Sequence, residues 1–343
     1  MGCEYMEQNV LTVNNLKTHF NMSTGTVKAV DGVSFTLKKG EILGIVGESG
    51  SGKSVTVSSI MRLLPKTIGQ IVDGEILFEG KDLAKISEKE MLSIRGKDIT
   101  MVFQDPMTSL DPVFTIGQQM IEVIRVHNNI SKQEAKKIGI EALKTVGIPE
   151  PEKRMDSYPH EFSGGMRQRV IIAMAIVSNP KVIIADEPTT ALDVTVQAQV
   201  LDLLKELRDK IDTSIILITH NLGVVWEICD TVKVMYAGKT VEYAPVDKIY
   251  KNPSHPYTLG LLNSMPKLSD DSAEPLKDIP GTPPDLRLTG VGCNFYNRCK
   301  YKKDICKTEV PVLKEIETNH MMACHFDLNE RVEVAVEGGG QNE

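Results

Sequence analysis

The stretch Gly47-Glu48-Ser49-Gly50-Ser51-Gly52-Lys53-Ser54 has the residue types and spacing for phosphate chemistry. It fits G-x-x-x-x-G-K-[ST], a loop whose glycines let successive backbone N–H groups curl around phosphate oxygens. Gly47, Ser49, Gly50, Ser51 and Gly52 supply that backbone, and Lys53 supplies a mobile cation for the β- and γ-phosphates. Ser54 supplies a hydroxyl for Mg²⁺. The loop needs a strand before it and a helix after it. The apolar run from Glu41 to Val46 reads as a short buried strand, and Val55 to Leu64 reads as a helix stopped by Pro65. A glycine turn carrying a surface lysine would not require those flanks.

Two further stretches carry chemistry. In Val182-Ile183-Ile184-Ala185-Asp186-Glu187, four apolar residues place a strand in the core and two carboxylates emerge at its C-terminal end. In open α/β sheets, ligands sit at that end. Asp186 can hold Mg²⁺ through water, and Glu187 can polarise an attacking water. A single Asp-Glu pair before Pro188 could equally cap a turn. The third stretch, Phe162-Ser163-Gly164-Gly165-Met166, opens a helix expected to run to Val177. A Ser-Gly-Gly helix start is a second anion site, with unpaired N–H groups and the positive end of a dipole. Two phosphate-binding helix starts in one chain invite a dimer that shares its sites.

The elements that must position these residues alternate along the chain. Residues 10 to 37 read as β-hairpins, with Gly25, Gly32 and Gly40 marking turns. Gly74 to Phe78 and Ile99 to Phe103 are strand candidates, the second ending on Gln104. Residues 115 to 147 carry apolar side chains at helical spacing and form a helical insert. The runs Val182–Ala185 and Ile215–Ile218, with helices between them, read as a parallel sheet with helical crossovers. Val232–Tyr236 and Lys239–Tyr243 read as a final hairpin around Gly238. Residues 266 to 285 hold five prolines and read as a linker ordered in places, and the tail from 337 to 343 reads as disordered.

At 343 residues the chain has room for about two domains of roughly 150 residues. A net charge of −7 gives no electrostatic argument for nucleic acid or for an anionic membrane surface. The richest apolar run, Val170 to Val177, is too short to span a membrane, and the N-terminus lacks the apolar region of a signal peptide. A cytoplasmic chain is therefore expected, in which six cysteines do not make a disulfide framework. Cys3 and Cys229 read as incidental. Cys293, Cys299, Cys306 and Cys324, spaced C-x5-C-x6-C-x17-C, read as a metal site, either tetrahedral Zn²⁺ or an iron–sulfur cluster, or else as buried structural thiols.

Over about residues 10 to 250 the sequence strongly resembles the ATP-binding cassette (ABC) ATPases. The resemblance implies an α/β P-loop ABC ATPase fold with an antiparallel β subdomain and a helical subdomain at about 105–165. ATP and Mg²⁺ are the implied ligands, with Ser54, Gln104 and Asp186 around the metal. Gln104 fits the Q-loop, which senses Mg²⁺ and water and abuts the membrane subunit. Ala191-Leu192-Asp193 fits the D-loop, and Asp193 touches the partner subunit. His220 fits the switch histidine that contacts the γ-phosphate. Phe20 fits the aromatic that stacks on adenine; the alternative is core of the first hairpin. Glu187 and His220 are then the catalytic pair, and Ser163, Gly164 and Gly165 face a phosphate across the dimer. Phe162 and Met166 depart from the usual Leu-Ser-Gly-Gly-Gln.

Residues 251–330 read as a small C-terminal cysteine-bearing extension. Asn252-Pro253-Ser254-His255-Pro256-Tyr257 and the four late cysteines resemble the oligopeptide and dipeptide importer ATPases. That subfamily's association with a [4Fe–4S] cluster is the implied cofactor, with zinc as the fallback. The implied partners are a second homologous ATPase subunit, two transmembrane permease subunits and an extracytoplasmic peptide-binding protein, with no nucleic acid. The implied place is the cytoplasmic face of the cell membrane, as a peripheral subunit. The alternatives are an importer of nickel or another small solute, and a soluble DNA-repair-type ABC ATPase with a zinc cluster.

Overall fold

The computed structural model describes residues 9–190, 192–265 and 279–327. Cys3, Ala191 of the D-loop, the first part of the linker and the tail expected to be disordered lie outside the described residues. The strands are β1 (Asn9–Met22), β2 (Gly25–Lys38), β3 (Ile42–Val46), β4 (Gly69–Phe78), β5 (Lys81–Asp82), β6 (Ile99–Val102), β7 (Val182–Asp186), β8 (Ser214–Thr219), β9 (Thr231–Tyr236), β10 (Lys239–Pro245), β11 (Lys314–Glu317) and β12 (His320–Met322). The chain divides into two compact units. One comprises Met1–Leu11, Thr36–Ile42 and Leu77–Ile218; the other comprises Thr12–Phe35, Leu43–Ile76 and Thr219–Glu343.

In the first unit, β6, β7 and β8 lie side by side and parallel, with Ile99 opposite Val182 and Val182 opposite Ser214. Every residue of β7 and β8 is buried, as expected of strands covered on both faces. The helical insert is two helices, Ile116–His127 and Lys132–Thr145. Each starts with a reciprocal cap, Thr115 with Gln118 and Ser131 with Glu134, which satisfies amide groups the helix leaves open. Gly117 donates its amide to Met155 O at 2.7 Å, and a Cβ there would lie 2.5 Å from the same oxygen. Only glycine permits that approach.

In the second unit, residues of β2, β1 and β4 lie in that order in one sheet. The first two make one long hairpin, each strand 14 residues. Gly32 is therefore not a turn, as the sequence suggested, but a point inside β2. It has φ +88°, and Asn15 of β1 has φ +48°; a Cβ on Gly32 would lie 3.3 Å from Asn15 Oδ1. Both strands nevertheless run on continuously past these two residues.

A second sheet in this unit runs β3, β9, β10, β12, β11. β3 is parallel to β9, with Val46 opposite Val234, and β9 and β10 form the expected hairpin through Ala237 and Gly238. Lys233 breaks the expected pattern by pointing inward. It is fully buried, donates to Ser34 O at 2.8 Å and Thr240 Oγ1 at 3.0 Å, and lies over the Tyr243 ring at 4.6 Å. Burial pushes its pKa down to about 7.

The C-terminal segment is part of this unit. β12 extends the sheet by pairing with β10, Glu242 opposite Met322. Glu242 is fully buried and accepts from Ser254 N at 2.7 Å and His255 N at 2.9 Å, and it bonds His320 Nε2 at 2.7 Å. One carboxylate thus ties the sheet, the helix start before Pro256–Asn263 and β12 together. Substituting it leaves three buried nitrogen groups without their acceptor, which costs on the order of 3–5 kcal/mol for a broken buried charged network. We expect Glu242→Ala to lower the chemical-denaturation midpoint and to speed amide exchange in residues 246–263 and 314–322; unchanged exchange there would show that the carboxylate is not the tie.

Candidate functional site

The loop at 47–54 leaves β3 and enters the helix Lys53–Ile60, as its motif requires. Gly47 has φ +152°, and a Cβ on it would lie 2.2 Å from Met235 O. Gly52 has φ +103°, and a Cβ there would lie 2.4 Å from Ala29 O. No side chain fits at either place, so the backbone folds tightly under β9 and β2. Gly238 N donates to Ser51 O at 2.9 Å and fixes the loop's crest to the β9–β10 turn.

Lys53 is buried and donates to Gly47 O at 2.7 Å and Glu48 O at 3.0 Å. An ammonium folded across its own loop stands ready for an anion that arrives there. Ser51 Oγ is buried and has no hydrogen-bond partner among the described residues. The glycine cradle, the lysine across it and this orphaned hydroxyl fit a nucleotide phosphate group.

The loop is also held from a side the motif does not reveal. Glu48 N donates to Tyr257 OH at 2.9 Å. The Glu48 carboxylate takes both arms of Arg298, at 2.7 and 3.0 Å. Burial pushes the Tyr257 phenol well above its ordinary range, so it stays neutral. Tyr257 packs with Tyr236 and Phe295, ring centroids 4.6 and 5.5 Å apart. Asn252–Tyr257 stood out in the sequence as a subfamily marker, but nothing local signalled that its last residue reaches the loop.

In the first unit, the acidic strand end is built as expected and gains a partner. Asp186 closes β7 and is buried. Glu187 turns off the strand with φ +48°, a conformation disfavoured for a residue with a side chain, and its amide donates to Ile218 O at 2.9 Å. Gln104 Nε2 donates to Glu187 Oε2 at 2.9 Å, and Thr190 Oγ1 donates to the same oxygen at 2.9 Å. The structure therefore brings together two residues, Gln104 and Glu187, that the sequence placed only by separate motifs. Two donors on one carboxylate oxygen fix its orientation.

The Ser-Gly-Gly start behaves as a helix start should. Ser163 caps Gly164–Ile176 by accepting from Met166 N at 3.3 Å. Ser163 and Gly164 are exposed, while Phe162 is buried with Arg154 over its ring at 5.4 Å. A Cβ on Gly165 would lie 2.5 Å from Val196 Cγ1, so the second glycine lets this helix approach the first turn of Val194–Ile211. Asp193 caps that second helix, accepting from Val196 N at 3.0 Å. His220 follows β8 and is exposed. Phe20 lies in β1, half-buried, with its ring edge against Gly69.

Cys293, Cys299, Cys306 and Cys324 line one small cavity, joined by Phe295, Tyr296, Tyr301 and Phe326. No disulfide links them. Burial, with the three neighbouring thiols adding to it, pushes the Cys293 thiol up to about 12. Among the described residues, however, no three His, Cys, Asp or Glu side chains are arranged to hold a metal ion. The expected [4Fe–4S] ligand set is thus not supported by this geometry.

No described helix is long and apolar enough to cross a membrane. Residues 30–190 match the family described as ABC transporter, and residues 241–306 match the oligopeptide/dipeptide transporter C-terminal region. The chain is 56% identical to the oligopeptide transport ATP-binding protein OppD of Bacillus subtilis, over 91% of this chain and 87% of that one. It is 51% identical to the dipeptide transport ATP-binding protein DppD of the same organism, over 97% and 98%. It is 49% identical to OppD of Salmonella typhimurium, over 94% and 95%. Among solved structures, the dimeric bacterial ABC transporter cassette MJ0796 superposes with a TM-score of 0.61 at 27% identity, over 69% of this chain and 98% of that one. The cassette cbiO1 from Clostridium perfringens superposes with the same score at 31% identity, over 72% and 92%. The glycine cradle, the oriented acidic strand end and these likenesses converge: the chain is an ATPase of the ABC transporter family, in the branch that carries the oligopeptide/dipeptide transporter C-terminal region.

Proposed function

We propose that the chain is the ATP-hydrolysing subunit of a membrane importer for di- and oligopeptides. The observation that carries this reading is similarity to oligopeptide and dipeptide transport ATP-binding proteins over nine-tenths of the chain, C-terminal region included. That region favours peptides over nickel or another small solute. Likeness to transporter cassettes disfavours the soluble DNA-repair reading. The subunit sits peripherally on the cytoplasmic face of the cell membrane. It works with a second homologous ATPase subunit, two permease subunits and an extracytoplasmic peptide-binding protein.

In this reading the amides of 47–54 and Lys53 hold the β- and γ-phosphates of ATP. Mg²⁺, when bound, neutralises phosphate charge; Ser54, Asp186 and Gln104 are its holders by motif. Glu187, aimed by Gln104 and Thr190, takes a proton from the attacking water, and His220 contacts the γ-phosphate. Phe20 stacks on adenine. The Ser163-Gly164-Gly165 start, exposed at its first two residues, faces the ATP held by the partner's loop, and Asp193 lies at the same face. Two subunits closed head-to-tail would drive the permeases outward-open, and hydrolysis would reset them.

The proposed division is a nucleotide-binding domain over 1–250, an extension over 251–330 and a tail over 331–343. The finer reading of the extension is that its four thiolates draw in around a [4Fe–4S] cluster, with zinc as the fallback. What speaks for it is that the four cysteines share one cavity, although they are not arranged there as a ligand set.

Three measurements test these assignments in the assembled complex. Glu187→Gln is expected to keep nucleotide bound and to cut turnover by about 10²–10⁴-fold, the usual loss of an oriented base; near-normal turnover would remove Glu187 from the catalytic role. Ser163→Arg is expected to block hydrolysis at the partner's ATP, since a bulky side chain at the interface prevents closure. Full activity of the isolated chain, independent of its concentration, would contradict the shared site. Protein purified without oxygen is expected to carry about four irons per chain, and Cys299→Ser should bleach it. Stoichiometric zinc would replace the cluster with a zinc site, and well-folded protein with neither metal would leave the cysteines as structural thiols.

A further inference from the structure

We propose that Arg298, in the C-terminal segment, is a positioning residue of the nucleotide site: it neutralises and anchors Glu48 so that the phosphate loop presents its amides, not a carboxylate, to the nucleotide. The inference rests on reading Gly47–Ser54 as the phosphate cradle.

Glu48 is the second residue of that cradle, and an anion there opposes the anion the loop is built to receive. The Arg298 side chain is 6% exposed, and all five of its N–H groups have an acceptor. Nη1 reaches Glu48 Oε2 at 2.7 Å and Tyr236 OH at 3.4 Å; Nη2 reaches Glu48 Oε1 at 3.0 Å and Ile279 O at 3.2 Å; Nε reaches Pro280 O at 3.0 Å. A fork this completely used is specific to arginine, since an ammonium cannot make the paired contact. The guanidinium also lies 5.8 Å from the Tyr236 ring and 6.0 Å from the Phe295 ring. Tyr257 OH takes the Glu48 amide, so the residue is held at backbone and side chain together. From the same segment, Pro283, Pro284 and Leu286 line a cavity with Glu48, Ser49, Gly50 and Ser51, and Lys28 N donates to Leu286 O at 3.3 Å. The segment thus covers the outside of the loop as well as gripping it.

The test is the KM and kcat for MgATP in the assembled transporter. Arg298→Met should raise KM about tenfold, the size of one unneutralised charge beside a bound anion, with kcat within about twofold. Glu48→Gln in the Arg298→Met background should restore KM to within about threefold of the unaltered protein, because the opposing charge is gone. A purely structural role for Arg298 predicts no such rescue, so a double variant as weak as Arg298→Met overturns the proposal, as does an Arg298→Met protein with unchanged KM. If Arg298→Met does not fold, Arg298→Lys serves instead. It keeps one charge without the fork and should show an intermediate rise that Glu48→Gln again reverses; failure of that reversal overturns the proposal. Lys53→Ala separates the two levels: it should abolish MgATP binding whatever Arg298 does. Retained binding in Lys53→Ala overturns the phosphate reading of the loop, whereas lost binding there with an unmoved KM in the Arg298 variants overturns only the positioning role.

Discussion

The second unit depends on one steric constraint: the backbone of 47–54 must pass within bare contact of Met235 O and Ala29 O, at glycines that leave no room for a Cβ. That closeness puts the loop under β9 and fixes Ser51 O to Gly238 N. Once the crest is fixed, Lys53 folds back onto the carbonyls of Gly47 and Glu48 and is buried there. A buried ammonium held by loop carbonyls places a cation directly at the cradle. The tight backbone and the buried cation thus occupy the same few residues.

The first unit solves a different problem. A carboxylate that is to work on a water must be aimed, and aiming requires donors that do not move. Glu187 turns out of β7 through a left-handed conformation, so its side chain leaves the line of the strand at once. Gln104, from the end of β6, and Thr190 then hold one of its oxygens. Adjacent parallel strands make this possible, because their C-terminal ends fall level with one another: Val102 lies opposite Ala185.

What could be read from the sequence follows from how local its causes are. The phosphate loop, the Ser-Gly-Gly helix start and the buried strands β7 and β8 were legible because a few neighbouring residues dictate each of them. The helical insert was legible from apolar spacing, and its caps, Thr115 with Gln118 and Ser131 with Glu134, lie three residues apart. Gly32 misled, because a glycine with positive φ marks a bend inside a strand as readily as a turn between two. Lys233 was hidden, since a charged residue in a strand reads as outward-facing, and its inward placement is explained by Thr240 across the hairpin and by Ser34, 199 residues away in the chain. The contacts of Glu242 with His320 and of Glu48 with Arg298 were invisible for the same reason: each joins residues no local pattern connects. The four late cysteines were legible as a group, and the structure does bring them to one cavity, but not as a formed ligand set.

The distance along the chain between Glu48 and Arg298 has a consequence for how the protein is made. They are 250 residues apart. The loop at 47–54 therefore leaves the ribosome long before the residue that braces it from outside. While the intervening residues are made, the loop exists with its acidic residue unbraced, and closing so long a span adds loop-closure entropy to the folding step. The sheet follows the same order, since β12 adds to β10 only when residues past 320 have emerged. A chain cut short by a premature stop or by a protease lacks the brace even if its cassette has folded. The brace on the loop in this way depends on the C-terminal segment being made and folded, so that a chain lacking that segment carries an unbraced Glu48.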